Sequence, residues 1–408
     1  MLTAVLAVGL VAVSASSSPP DRSADQALLG PAWPRVPWEG GVRYYAAFPQ
    51  AEASGWSDPK HFPTGVWFES VLSDADALSD KVNGLNTYVE LTADTDLGAV
   101  RRNGMSAMIS EQFGNRGNES VAWLLGDEVD MTHGPENGYA EMQRLGGRYP
   151  ADDGRMRYAN YGKGVMFWES DTEASRFVNE YTTVVSNDIY WYTDPHVCGA
   201  PGEDPPAGVT AATCRRAANY GLTMDRMRYL DGLDGRRQPV FAFVEVGHPF
   251  TEADAPTITG EQIAGAVLNS LIHEARGIIY FNHNFGGPCL SQHVLRDRCG
   301  DAVRPTVAEL NSRIAALAPV LNTQSYVWMF NPDLDTMLKT YGGSYYVFAM
   351  LGRTGVPGAQ RLTLPPGSTG SVAEVLFEGR SVPIAGGAIQ DVFAQESSYH
   401  IYRIGGAT

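Results

Sequence analysis

The chain has 408 residues and a formal net charge of −16, because 46 Asp and Glu residues outnumber 30 Lys and Arg residues. Hydrophobic residues make up 44% of the chain and charged residues 19%, which excludes global disorder and supplies enough apolar side chains for a large core. The acidic balance argues against nucleic acid as a partner, since proteins that bind polyanions usually carry a basic surface.

The N-terminal segment has the pattern of a secretory signal peptide. Residues 2–13 are apolar, and Val13-Ser14-Ala15 offers small residues for cleavage. We therefore predict a signal peptide at 1–15, a linker or irregular entry segment at 16–40, and a secreted, extracellular protein. The lack of Lys and Arg before the apolar run keeps an ordinary N-terminus as the alternative. No other apolar run is long enough to predict a membrane span.

The four cysteines fit an exported protein. They allow three pairings, and we favour Cys198–Cys214 with Cys289–Cys299, because each of these pairs closes a short loop rich in Gly and Pro. The alternative is four free thiols in a cytosolic protein. No pair has the C-x-x-C spacing of a zinc or redox site, and we predict neither a metal nor a cofactor.

From residue 65 onward, short runs rich in Val, Ile, Phe and Tyr alternate with stretches of helical period. This alternation predicts an α/β fold, a (β/α)8 barrel over residues 41–323. A doubly wound open sheet is the alternative, which the lack of G-x-G-x-x-G after the first run disfavours. The predicted strands are Gly65–Glu69, Thr87–Thr92, Ser106–Ser110, Val121–Glu128, Arg157–Tyr161, Val184–Trp191, Pro239–Glu245 and Gly277–His283.

Helix signals separate several of these runs. Ser73 with Asp76, and Thr259 with Gln262, have the spacing of capping boxes, so we expect helices to begin there. Few residues separate the third run from the fourth, and any helix between them is short or absent.

The last part of the chain has a different pattern. Gly and Pro separate seven short runs, which predict a small antiparallel, β-sandwich-like domain at 324–408. The runs are Tyr326–Phe330, Met337–Tyr341, Tyr345–Leu351, Gln360–Leu364, Ala373–Phe377, Arg380–Pro383 and Tyr399–Ile404.

Two apolar runs of the predicted barrel end in carboxylates. The fourth run ends in Asp127-Glu128 and the seventh in Glu245, at the edge where barrel enzymes place their active sites. Glycoside hydrolysis needs two facing carboxyl groups: one protonates the leaving oxygen, and the other attacks the anomeric carbon or activates water. The alternative is that these acids end strands simply because loops are solvated.

The sequences Gly126-Asp127-Glu128 and Val244-Glu245 resemble motifs of clan A, a large group of retaining glycoside hydrolases. In that clan the acid/base Glu ends strand four and the nucleophile Glu ends strand seven. The resemblance covers about residues 60–323 and implies that Glu128 is the acid/base and Glu245 the nucleophile of a hydrolase for an extracellular polysaccharide or oligosaccharide. A non-catalytic carbohydrate-binding barrel is the alternative function.

Asp127 stands where the clan usually has Asn. We expect it to bind substrate and to raise the pKa of Glu128 through its charge, and the alternative is that Asp127 itself is the proton donor. Further substrate-binding residues are expected at the other strand ends. They are Trp67, Glu69, Glu90, Asp188, Tyr190, Trp191, Tyr192, His248, Asn282 and His283. Among these, Tyr190 or Tyr192 is expected to support the nucleophile and Trp191 to stack on a sugar, with core packing as the alternative for each aromatic residue.

Overall fold

The computed structural model describes residues 33–110, 113–199 and 209–406. Eight parallel strands form a closed barrel, in which each strand pairs with its neighbour in sequence and the last pairs with the first. The predicted (β/α)8 barrel is thus confirmed. Its strands are β1 (Thr64–Glu69), β2 (Thr87–Leu91), β3 (Ser106–Ile109), β4 (Ser120–Asp127), β5 (Met156–Tyr161), β6 (Val184–Asn187), β7 (Val240–Glu245) and β8 (Ile278–Phe281).

Helices surround the barrel, and the described residues between β3 and β4 contain none, as their short spacing predicted. The helices are α1 (Pro49–Ala53), α2 (Asp74–Val82), α3 (Leu97–Arg102), α4 (Val129–Gly146), α5 (Asp171–Glu180), α6 (Ala218–Asp231), α7 (Gly260–Ile272) and α8 (Arg304–Leu321). A kink at Gly134 divides α4, and a π-helical turn, Gly164–Trp168, precedes α5.

Both predicted capping boxes begin helices. At the start of α7, the Thr259 hydroxyl accepts a hydrogen bond from the Gln262 backbone at 3.3 Å, and the Gln262 side chain accepts one from the Thr259 backbone at 2.9 Å. Ser73 and Asp76 do the same for α2. Each box satisfies backbone N–H groups that a helix start leaves unpaired.

Five barrel strands end earlier than predicted, β2 and β3 by one residue each. β6 stops at Asn187 instead of Trp191, β8 at Phe281 instead of His283, and β4 one residue before Glu128. After β6 the backbone N–H of Trp191 bonds to the Ile189 carbonyl at 3.2 Å, so the chain turns there. Aromatic and β-branched residues favour strands by composition, but in this segment they lie on a loop at the barrel mouth.

The C-terminal residues form a six-stranded antiparallel sheet, in the order β14-β13-β16-β11-β10-β9, and a two-stranded sheet of β12 and β15. The predicted small antiparallel β domain is thus confirmed. Its strands are β9 (Ser325–Tyr326), β10 (Leu334–Tyr341), β11 (Ser344–Leu351), β12 (Gly358–Thr363), β13 (Val372–Val375), β14 (Arg380–Pro383), β15 (Ala388–Phe393) and β16 (Tyr399–Gly405).

Two details of this domain differ from the prediction. The run 326–330 is a strand only at its first residue, and β15 was not predicted at all. Within β15 the polar Asp391 is buried and the apolar Val392 is exposed, so the alternation that identifies a half-buried strand is broken.

Both predicted disulfides are present, Cys198–Cys214 and Cys289–Cys299. They lie in the loops that follow β6 and β8, at the same edge of the barrel. Among the described helices, none has the length and hydropathy needed to cross a bilayer. The predicted signal peptide and most of the predicted linker, residues 1–32, lie outside the described part of the chain.

Candidate active site

Glu245 ends β7 and is fully buried. The Tyr220 hydroxyl lies 2.8 Å from both of its carboxylate oxygens, and the Thr193 hydroxyl donates to Oε1 at 2.9 Å. The Tyr192 backbone N–H donates to the Tyr220 hydroxyl at 3.2 Å, which leaves the tyrosine proton for the carboxylate. Glu245 is therefore held in one orientation by side chains from α6 and the β6 loop.

Two opposing effects set the protonation of Glu245. Burial raises its pKa to about 7, although the hydrogen bonds from Tyr220 and Thr193 act in the opposite direction. A carboxyl group with a pKa near neutrality changes between acid and base at ordinary pH, as catalytic carboxyl groups often do.

Asp127 and Glu128 follow one another at the end of β4 but face different neighbours. Asp127 accepts a hydrogen bond from the Asn160 side chain at 3.0 Å. Glu128 has a φ of 49°, in the left-handed region, and its carboxyl group is hydrogen-bonded to that of Asp188. The left-handed turn directs the two side chains apart, toward β5 for Asp127 and toward the β6 loop for Glu128.

Charges within this group of acids raise the pKa values of Asp127 and Asp188, whereas the hydrogen bond with Asp188 lowers the pKa of Glu128. Burial and then the Asp130 charge raise the pKa of Glu128. Asp127 is open to solvent but enclosed by protein atoms on its other sides, so lost hydration, with the Glu128 charge, raises its pKa to about 7. Burial and the charges of Glu128 and Asp127 raise the pKa of Asp188. Carboxyl groups this close share protons instead of ionising together.

Tyr190 lies among these groups. It is 8% exposed, its hydroxyl has no hydrogen-bond partner, and its pKa is raised by burial and by charges that include Asp188, Glu128 and Glu245. A buried hydroxyl without a partner is costly unless something outside the protein bonds to it. Glu90 extends the group on the β2 side, where burial and the Asp127 charge raise its pKa.

Three of the predicted substrate-binding residues hold the barrel together beside the site. Glu69 is fully buried and bonds to Asn282, His293 at 2.7 Å and Arg296 at 3.0 Å. Asn282 also accepts from the Leu295 backbone at 2.8 Å. Trp67 is 9% exposed and packs edge-on against Phe243. The polar groups of Glu69 and Asn282 are occupied by protein partners, which leaves few of them for a substrate.

Two aromatic residues of the β6 loop also differ from expectation. Trp191 is fully buried and donates its Nε1–H to Thr223 at 2.9 Å, so it has no free face for a sugar. Tyr192 donates its hydroxyl proton to Glu396 of the C-terminal domain at 2.6 Å. Neither Tyr190 nor Tyr192 donates to Glu245; Tyr220 does instead.

The two predicted histidines lie near the mouth of the barrel. His248 bonds through Nδ1 to Thr257 at 2.8 Å, and its Nε2 has no partner. His283 contacts the Phe68 carbonyl at 3.2 Å through Nε2, and burial lowers its pKa. His283 lies among phenylalanine rings, and this burial favours its neutral form.

Several residues of the site were not predicted. Tyr220 is inside a helix and Thr193 in a loop, and neither carries a local motif that separates it from core or loop residues. Lys163 bonds to Asp194 at 2.7 Å and lowers the pKa of Glu128. Asp130 accepts backbone N–H groups of the segment that carries Lys163. Asp130 follows the predicted Asp127-Glu128 pair closely, and this spacing was the only signal available.

The described residues contain no cluster of three or more His, Cys, Asp or Glu side chains arranged to hold a metal. A cavity of about 950 Å³ lies away from the carboxyl groups, between α4 and α5 at the other end of the barrel. None of the residues discussed above lines that cavity.

No protein-family description and no curated protein matches this sequence. A solved structure described as a glycoside hydrolase is similar, with a TM-score of 0.53 and 9% identity, over 85% of this chain and 93% of its own. An α-amylase from Anoxybacillus (TM-score 0.46, 9% identity, 85% and 98% coverage) and a GH30 endoxylanase from Clostridium papyrosolvens (0.45, 11%, 84% and 96%) are also similar. The first of these similarities shows that the chain shares the barrel fold of a glycoside hydrolase.

Proposed function

We propose that the protein is a secreted glycoside hydrolase that cleaves a polysaccharide by a retaining mechanism. The observation that carries the proposal is Glu245, a buried carboxylate at the end of β7 whose two oxygens lie 2.8 Å from one tyrosine hydroxyl. Across the barrel mouth, Glu128 directly follows the end of β4. The charges of Glu128 and Glu245 both raise the pKa of Tyr190, which is consistent with a single site.

In the proposed first step, Glu245 attacks the anomeric carbon while Glu128 gives its proton to the leaving glycosidic oxygen. The C–O bond of the glycoside breaks, and a glycosyl ester forms on Glu245. In the second step, Glu128 accepts a proton from water, which displaces Glu245 and restores both groups. Tyr220 and Thr193 stabilise the ionised form of Glu245 before attack. Burial and the Asp130 charge raise the pKa of Glu128, which favours its protonated form.

The decisive experiment uses a panel of neutral polysaccharides and their aryl glycosides. Glu245→Ala should abolish turnover, and azide should restore part of it by acting as an external nucleophile. Glu128→Ala should keep more activity on aryl glycosides whose leaving group needs no proton. Glu141→Ala, in an exposed pair on α4, is the control. NMR of the first-formed anomer should show retention.

Two results would overturn the proposal. Near-normal turnover of the polysaccharide by both variants would remove Glu128 and Glu245 from the mechanism. Binding of the panel without hydrolysis by the wild type would favour a carbohydrate-binding barrel. For secretion, mass spectrometry of the protein from culture medium should find a mature N-terminus at Ser16, and an intact N-terminus inside cells would contradict it.

A further inference from the structure

Aromatic rings form a continuous track from the carboxyl groups to the surface of the barrel mouth. The ring of Tyr190 lies 5.3 Å from that of Phe281, which lies 5.3 Å from His283. From there the contacts divide toward two exposed rings, Phe68 at 6.0 Å from His283 and Phe285 at 5.6 Å from it. We call these five residues the aromatic track.

The outer rings are exposed, and Phe68 lies within β1 and Phe285 in the loop after β8. Phe68 is 41% exposed and Phe285 46% exposed. Phe68 also has a φ of 52°, a left-handed conformation that is rare and unfavourable for a bulky residue. Neither burial nor backbone preference explains why Phe68 turns its ring toward solvent, and such strain concentrates at ligand sites.

We propose that the aromatic track binds an extended chain of neutral sugars, with apolar sugar faces on Phe68 and Phe285 and the cleaved bond at the carboxyl groups. This inference rests on the proposed function and specifies its substrate. Rigid aromatic rings offer large contact areas at little entropic cost. The unpartnered Tyr190 hydroxyl supplies a polar contact at the inner end. The acidic groups disfavour uronate chains, because like charges repel.

The test is affinity electrophoresis of the Glu245→Gln protein in gels containing arabinoxylan, glucomannan, mixed-linkage β-glucan or amylopectin, with polygalacturonate as the anionic probe. At least one neutral polysaccharide should retard the protein, and polygalacturonate should not. Adding Phe68→Ala and Phe285→Ala should weaken that affinity about tenfold. Phe377→Ala is a matched control, because Phe377 is 43% exposed with a φ of 66° on the C-terminal domain.

The possible results distinguish a failure of the aromatic track from a failure of the proposed function. The track substitutions could abolish retardation while the wild type hydrolyses none of the polysaccharides. That result would support the binding site and refute the proposed hydrolase activity. Retardation unaffected by these substitutions, or equally weakened by Phe377→Ala, would overturn the aromatic track. Retardation by none of the neutral polysaccharides would do the same.

A second, independent observation connects the C-terminal domain to Glu245. Glu396 lies between β15 and β16, and its carboxylate accepts a hydrogen bond from the Tyr192 hydroxyl at 2.6 Å and from the Ala217 backbone at 2.8 Å. Ala217 precedes α6, which carries Tyr220, and the rings of Tyr192 and Tyr220 lie 5.6 Å apart. Both elements that contact Glu396 therefore also contact the tyrosine bound to Glu245.

The geometry points to Glu396 as a positioning residue that holds Tyr220 against Glu245. Without this carboxylate, the Tyr192 hydroxyl and the Ala217 backbone N–H at the start of α6 lose the acceptor that they share. The Tyr220 hydrogen bond to Glu245 should then lengthen, and Glu245 should hold its proton to higher pH, since that bond favours the ionised form. The role also rests on the proposed function, but its readout does not need turnover.

The test is a carbon-13 NMR titration of glutamate-labelled protein, with Glu245→Gln identifying the Glu245 signal. Glu396→Ala should move the midpoint of that signal to a pH about one unit higher, which is a tenfold lower proton concentration, and Glu396→Gln should move it less. Glu374→Ala, in an exposed pair with Arg403, should leave it unchanged. A folded Glu396→Ala protein with the wild-type midpoint, or one that loses only stability, would overturn the role.

Discussion

Buried charges occur at both ends of the barrel, but their neighbours differ. At the C-terminal end of the strands, Asp127, Glu128 and Asp188 lie among other acids, and burial raises the pKa of all three. Their nearest charged neighbours are therefore mostly of the same sign. This arrangement keeps protons on carboxyl groups at a pH where isolated acids have lost them.

At the other end, before β8, each buried charge faces an opposite one. Arg276 bonds to Glu274 at 2.9 Å and to Glu39 at 3.1 Å, and all three side chains are nearly inaccessible. Burial alone would raise the pKa of Glu274, but Lys339 and Arg276 hold it below its usual value. Burial lowers the pKa of Lys339 itself to about 7, so we regard Arg276, with the shorter contact, as the main partner.

This difference indicates that the paired charges stabilise the fold and that the clustered acids serve chemistry. Paired buried charges are costly to break, because the remaining partner stays buried without compensation. Clustered acids lower the stability of the fold, and their perturbed pKa values suit proton transfer. In barrels of this kind, the C-terminal face carries function and the opposite face carries stability.

The largest effect should come from removing the ion pairs of Arg276, at the end of the barrel before β8. Arg276→Met leaves Glu39 buried without its cation and Glu274 with only the longer contact to Lys339, and should lower the free energy of unfolding by about 3–5 kcal/mol. Urea denaturation followed by circular dichroism measures this change. The control is Arg236→Met, whose side chain is 82% exposed in its pair with Asp234 and should cost under about 1 kcal/mol. Similar losses in the two variants would refute the contrast.

The next effect is on the hydrogen bond that orients Glu245. Tyr220→Phe removes a bond to a charged group, worth about 1.5–3 kcal/mol, so turnover should fall about 10- to 100-fold. That bond lowers the pKa of Glu245, so its loss should move the ascending limb of the pH–rate profile to higher pH. Trp191→Phe, which loses a hydrogen bond away from Glu245, is the control, and an unmoved limb in Tyr220→Phe would contradict the assignment.

A smaller effect should appear in the pH dependence of stability, through Glu245 at the C-terminal end of the strands. Because the pKa of Glu245 is raised to about 7, the folded state binds more protons than the unfolded state between about pH 4.5 and 7. Stability therefore falls as pH rises through that window. Glu245→Gln removes the buried charge and should stabilise the fold by about 1–2 kcal/mol at pH 8, with little effect at pH 4. Thermal melts at both values test this, and destabilisation at pH 8 would contradict it.

The sequence allowed the barrel and the ends of β4 and β7 to be predicted, because strand composition and period are local properties. Glu128 and Glu245 follow apolar runs that have to be buried, so their placement at one edge followed from the topology. Tyr220 could not be predicted in the same way. It lies 25 residues before Glu245, on a helix where a tyrosine looks like any other core residue.

The loop after β6 shows the opposite error. Its run of Tyr and Trp residues favours a strand and a sugar-stacking role, but Trp191 is buried against Thr223 and Phe167. Which aromatic rings stay exposed depends on the local backbone, since Phe68 is exposed within β1 at a left-handed φ and Phe285 is exposed in the loop after β8. Long-range packing decides these positions, and composition does not encode it.

The smallest effect concerns Asp127, which we expect to orient substrate while Glu128 donates the proton. Asp127→Asn keeps the oxygen that accepts from Asn160 at 3.0 Å, so the fold and much of the rate should remain. The substitution also removes one charge from the group of acids. The limb of the pH–rate profile that reports the proton donor should then shift to lower pH, because a neighbouring negative charge no longer holds the proton in place. Glu128→Gln should abolish that limb and most of the rate on substrates with poor leaving groups. The two acids are coupled, with the Glu128 charge raising the pKa of Asp127, so the profiles have to be measured side by side. If the limb disappears in Asp127→Asn and persists in Glu128→Gln, then Asp127 is the proton donor and the two roles are exchanged.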